Sequence, residues 1–181
     1  MKKLAIICLV ATSVISCKKD NNNSTAGSGN CGNPSTAAPA GITGNWASGY
    51  GSFLEVVDTY NGKHLGNAWS SGKFFKFTNN GKGAEFYYMV ESQTFQSATK
   101  ATGTIAFDEG STLDAGSFTF YPCWAHYKGW STTTTVDRDA TNAELENNLT
   151  IKFFYIMDGD WLRIEPNDDV NDFTSSFRTV N

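Results

Sequence analysis

The chain has only two histidines, His64 and His126, and they stand far apart. No His-Glu-x-x-His, Gly-x-Ser-x-Gly or phosphate-cradling glycine loop occurs, and zinc-ligand spacing is missing as well. No catalytic residue, metal ligand or cofactor is therefore assigned, and the chain is expected not to be an enzyme. Basic charge is short too: 14 Lys and Arg stand against 18 Asp and Glu. An acidic chain lacks the electrostatic footprint of a nucleic-acid binder, so no nucleic-acid partner is expected. Helical periodicity is nearly absent. No apolar run is long enough to cross a bilayer core of roughly 30 Å as a helix.

What is present begins with a secretory pattern. Lys2 and Lys3 precede an apolar run from Leu4 to Val10, which continues weakly to Ile15 and ends at Val14-Ile15-Ser16-Cys17. A charged start, a short apolar middle and a small residue before the cut form an export signal. Val14 and Ser16 before Cys17 resemble the lipobox of bacterial lipoproteins. The resemblance implies cleavage in front of Cys17 and lipidation of that cysteine, and several acyl chains anchor a protein durably. The charged Cys17-Lys18-Lys19-Asp20 resembles the export tag of surface lipoproteins in Bacteroidetes-type bacteria. Together these place the protein on the outer membrane or cell surface of a Gram-negative envelope, with the membrane as its partner through the lipid. Residues 21–40 are built from Asn, Ser, Thr, Gly, Ala and Pro with a single Cys. Such a stretch buries too little apolar surface to offset its ordering entropy and reads as a flexible tether. The expected layout is a signal peptide over 1–16, lipidated cysteine and tether over 17–40, and one domain over 41–181. Cutting after Ser16 leaves 12 basic and 18 acidic side chains. The oligomeric state is not legible.

Of four cysteines, Cys8 leaves with the signal and Cys17 takes lipid, so Cys31 and Cys123 are left to pair in an oxidising envelope. The alternative is a pair of free thiols, with Cys123 buried. A bridge would close a 92-residue loop and tie the tether to the domain wall.

The domain reads as all-β: short runs of Phe, Tyr, Val, Ile and Thr alternate between Gly, Asn and Asp turns. Lys73–Thr78 and Lys82–Glu91 flank Asn79-Asn80-Gly81 as a hairpin, and Leu149–Met157 and Trp161–Glu165 flank Asp158-Gly159-Asp160 likewise. A third hairpin sets Gly103, Ile105 and Phe107 against Phe118, Phe120 and Trp124 across residues 110–114. Phe53–Val57, Thr132–Asp137 and Phe173–Val180 bring the count to about nine strands. Sequential hairpins that must hide their edges close as a single antiparallel up-and-down barrel of about eight or nine strands, with a β-sandwich as the fallback. One polar turn of helix is expected at Thr141–Asn147, where Thr141 and Glu144 have capping-box spacing.

Gly44-Asn45-Trp46 ahead of the first strand resembles the Gly-x-Trp that opens lipocalins. The resemblance implies a lipocalin-like barrel closed at its base by Trp46, with a late arginine, Arg178 or Arg163, packed over the ring. It also implies a cavity. Trp124, His126, Tyr127 and Trp130, with Trp69 as a neighbour, form the aromatic group best suited to line a barrel mouth, because such rings pair a flat apolar face with a polar edge. Filling the core is the competing role for them. Asp168, Asp169 and Asp172 with Asn167 and Asn171 could offer oxygens to calcium, yet no EF-hand pattern supports it and a solvated turn is the expectation. Two functions follow. One is a lipid-anchored barrel that binds a small apolar or amphipathic ligand; the other is a non-catalytic lipoprotein whose exterior contacts an envelope protein or glycan.

Overall fold

The computed structural model describes residues 31–57, 64–91, 94–166 and 175–180. The alternating runs form nine antiparallel strands: β1 (Gly44–Val57), β2 (His64–Phe77), β3 (Lys82–Glu91), β4 (Phe95–Phe107), β5 (Ala115–Ser131), β6 (Thr135–Asp139), β7 (Ile151–Asp158), β8 (Trp161–Glu165) and β9 (Ser176–Val180). Eight of them close into a barrel in the order β4-β3-β2-β1-β9-β8-β7-β5, with β5 returning to β4. The long β5 serves two neighbours along the edge opposite β4. Its first half, Ala115–Phe120, pairs with β7, and its second half, His126–Trp130, carries β6 as an added strand. Signal residues 1–16, Cys17 and the Asp168–Asp172 group lie outside the described residues.

The turns are where Gly, Asn and Asp put them. Gly81 has φ +70°, and a Cβ there would strike the carbonyl oxygens of Ile105 and Thr36, so the position needs glycine for its dihedral and for its space. Gly159 turns β7 into β8 at φ +61°. The Thr-rich run divides differently from the expected Thr132–Asp137 strand. Ser131 donates its N–H to the Thr134 carbonyl at 2.7 Å and its Oγ accepts from the Thr133 and Thr134 amides. Residues 132–134 therefore turn, and β6 begins at Thr135.

Thr141 caps helix α1 (Asn142–Glu144), which runs on as a π-turn over Leu145–Leu149. The capping box is complete: the Glu144 amide donates to Thr141 Oγ1 at 3.3 Å, and the Thr141 amide donates to Glu144 Oε2 at 2.8 Å. Glu144 also takes a two-pronged bond from Arg138, at 2.9 and 2.8 Å, which ties the turn to β6. The Arg138 hydrogen bonds, with those from Thr141, hold the Glu144 carboxyl at about 2, down from 4.5. Because the folded value is the depressed one, this stabilisation is complete above the ordinary Glu range and is lost as pH falls toward 2. A carboxyl carbon-13 titration should place the Glu144 midpoint near 2 and, in Arg138→Gln, move it back toward the ordinary range.

Inside, one end of the barrel is solid. Phe118 touches Phe75, Phe77, Phe107 and Phe153 with ring centroids 5.2 to 5.9 Å apart, and Phe118 and Tyr155 are almost wholly buried. The Tyr155 hydroxyl donates to the Thr112 carbonyl, so this buried polar atom is satisfied. Trp46 closes this base, buried, with its Nε1–H on the Ile42 carbonyl at 2.7 Å. Of the two late arginines, Arg178 places its guanidinium 3.7 Å from the Trp161 ring centre, in a groove that Trp46 also lines. Arg163 pairs with Asp158.

The domain also starts earlier than its composition indicates. Cys31 and Cys123 form a disulfide, and beyond it the chain hugs the barrel base. Thr104 Oγ1 donates to the Pro34 carbonyl, the Thr36 amide donates to the Ile105 carbonyl, and the Phe107 amide donates to Thr36 Oγ1. Ala38 and Ile42 pack into the core. A stretch of small and polar residues, placed with the tether by composition, is thus held by backbone bonds and one covalent staple.

Candidate functional site

The bulge in β5 decides which side chains the mouth receives. Phe118 and Phe120 point into the core. Gly103 then pairs with Pro122 and Thr102 with Trp124, so Cys123 is an extra residue. An extra residue reverses the alternation beyond it. Ala125 accordingly joins the core, Tyr127 continues the inner face, and Trp124 and His126 swing to the outer wall. Simple alternation from Phe120 had kept Trp124 inside.

On that outer wall Trp124 stacks with His126, centroids 5.9 Å apart. His126 Nδ1 meets Asp139 Oδ1 at 2.8 Å and Nε2 meets Asp137 Oδ1 at 2.9 Å. Hydrogen bonding from His126, aided by Trp124, holds the Asp139 carboxyl below its usual range. With both ring nitrogens engaged, His126 fastens β6 to β5 and offers no free nitrogen to a metal or substrate. Among the described residues no three His, Cys, Asp or Glu side chains are grouped to hold a metal ion.

Tyr127 and Trp130 stay together on a groove of about 600 Å³ that also takes Phe95 and Arg138. Trp130 and Phe95 are both exposed there. The Arg138 guanidinium sits 5.2 Å from the Tyr127 ring centre, and burial pushes the Tyr127 hydroxyl up from its ordinary value. The aromatic group expected at one mouth is therefore split: Trp124 and His126 outside, Tyr127 and Trp130 in the groove. The Trp69 side chain lies outside the described ones.

Apart from Tyr127, the mouth is built by other residues. Strand register lines up Ser48, Lys73, Tyr88, Thr99, Tyr127 and Arg138 across β1 to β6 as one row. The row beneath is Trp46, Phe75, Phe86, Ala101 and Ala125. The interior thus changes from apolar to polar over a single step of the pleat. At that level a cup of about 360 Å³ opens above the aromatic floor, between Phe75, Phe86, Phe153, Ile164 and Phe177, with Lys73, Tyr88 and Leu149 at its rim. It falls in the lower range of small-molecule pockets, apolar with few polar groups.

The chain matches no protein-family model, no curated protein and no solved structure. Function must be read from this geometry.

A side notch completes the site. Among the described residues, β1 and β9 pair through Asn45–Ala47 and Arg178–Val180. Above that the strands part, leaving about 450 Å³ lined by Ser48, Ser71, Lys73, Tyr88, Ser175 and Ser176. Lys73 and Tyr88 belong to cup and notch alike. None of these residues stood out in the sequence. The available signal was parity: Lys73 shares its side of β2 with Phe75 and Phe77, which are core.

Proposed function

We propose that this chain is a lipid-anchored envelope protein, held through Cys17 at the outer membrane or cell surface, whose barrel mouth binds a small apolar or amphipathic ligand without catalysis. The cup carries the reading: an apolar concavity, open at one end and floored by packed aromatic rings, at the place where a barrel fold holds ligands. The filled lower half limits the ligand to a small one. A larger molecule would have to displace rings packed at interior density.

The test uses the full chain carrying Cys17→Ser, so that no attached acyl group competes for the cup. No tryptophan lines the cup among the described residues, so the readout is the emission of a neutral environment-sensitive probe, N-phenyl-1-naphthylamine. Saturable brightening reversed by decanol is expected, with side-chain NMR shifts at Phe86, Ile164 and Phe177. Shifts confined to the Trp130 indole would instead favour a second reading, contact with an envelope glycan or protein, which the exposed Trp130 and Phe95 recommend. No saturable binding at all would remove the ligand-binding reading.

A further inference from the structure

Lys73 is a half-buried cation on the inner face of the barrel. Its ammonium donates to Ser175 Oγ at 2.7 Å, and no carboxylate among the described residues pairs with it. The contrast lies in the same row: Arg138 meets the same level of the sheet with Glu144 bonded to it on two prongs. A charge drawn away from bulk water is costly unless it is paired. Lysine at this inward position therefore has a use that a neutral residue would lack.

The surroundings of Lys73 specify that use. On one side lies the apolar cup with Phe75, Phe86 and Phe177. On the other lies the notch, which adds the hydroxyls of Ser71, Ser175 and Ser176. Tyr88 stands directly opposite Lys73 in the β2–β3 register. A head held here would meet one ammonium and several hydroxyl donors, which is the donor set of an oxyanion. A chain attached to that head would point down onto the phenylalanine floor.

We propose that the ligand is an anionic amphiphile with a single apolar chain, its carboxylate or phosphate held by Lys73 at the notch and its chain in the cup. This rests on the ligand-binding reading above and adds the charge of the head and the residue that selects it.

The test displaces the neutral probe from the full Cys17→Ser chain with decanol, decanoate and decyl phosphate, which share a chain and differ in the head. Decanoate or decyl phosphate should bind at least tenfold more tightly than decanol, and the tighter of the two names the head. Lys73→Met should remove that preference while leaving decanol within about twofold, Lys73→Arg should keep it, and added salt should weaken only the anions. Decanol binding without an anion preference would overturn the inference and leave ligand binding standing. So would a Lys73→Met variant that binds decanol normally and still prefers the anion. Failure of all three to displace the probe would defeat both.

Discussion

Phe118→Ala is expected to destabilise the barrel by about 3–5 kcal/mol, the range for deleting a fully buried aromatic side chain from a core that collapses only in part. Phe118 has no exposed surface and lies in contact with four other phenylalanine rings and Tyr155. Those rings come from β2, β4 and β7, so the vacancy would open at the point where opposite walls of the barrel meet. A domain of ordinary stability holds only about 5–15 kcal/mol in total, which makes the loss a large share. Guanidinium unfolding measures it, with the midpoint falling and the slope unchanged. Phe154→Ala is the matched control. Phe154 is next along the pleat from the core residue Phe153 and lies half-buried beside Lys152, so its loss should be clearly smaller. Equal losses at 118 and 154 would mean that the inner and outer faces are wrongly assigned.

That contrast also marks what alternation makes legible. Strands β7 and β8 are readable because Ile151, Phe153 and Tyr155, then Leu162 and Ile164, recur at every second position on either side of the Asp158-Gly159-Asp160 turn, and the capping box at Thr141 and Glu144 is readable because it is local. Closure into a barrel follows from the same pattern. The Thr-rich run misplaces β6 because a Ser131–Thr134 turn is written in hydroxyl hydrogen bonds, which composition alone does not separate from a β-branched strand. β2 and β3 are ambiguous in another way: Phe74 and Phe75, and likewise Ala84 and Tyr87, are buried on opposite faces, so only Phe77 beside Phe75 weights one side of β2 as inner.

The site was less legible than the fold for two physical reasons. Alternation carries a reading along a strand only until a bulge, and the extra residue at Cys123 reverses every side chain beyond it. Pro122 was the available warning, since proline in a strand interior marks a bulge or an edge. The second reason is that the polar row is a property of register. Lys73, Tyr88, Thr99 and Tyr127 come from four strands and are aligned only by pairing. Taken singly, Lys73 reads as a solvated strand residue. Only its level, one step above Phe75 and Phe86, makes it the cation of a pocket.

Loss of the Cys31–Cys123 bridge should have the other large effect. The bridge closes a loop of 92 residues, for which chain-entropy reasoning gives a stabilisation of about 4–5 kcal/mol, most of it through the unfolded chain. The folded state has a share as well. The bridge fixes the wall end of the segment that runs through Pro34 and Thr36 to the buried Ile42, and that segment supplies the hydrogen bonds over β4 and part of the barrel base. Cys31→Ser with Cys123→Ser should therefore lower the unfolding midpoint. It should also speed hydrogen exchange at the Thr36 and Phe107 amides, which are bonded across this contact, beyond any change at Phe120 or Tyr155. A uniform rise in exchange would mean that the bridge acts on the unfolded chain alone; an unchanged midpoint would mean that the backbone bonds hold the segment without it. The staple thus stabilises the chain as a whole and holds the segment that covers the barrel base.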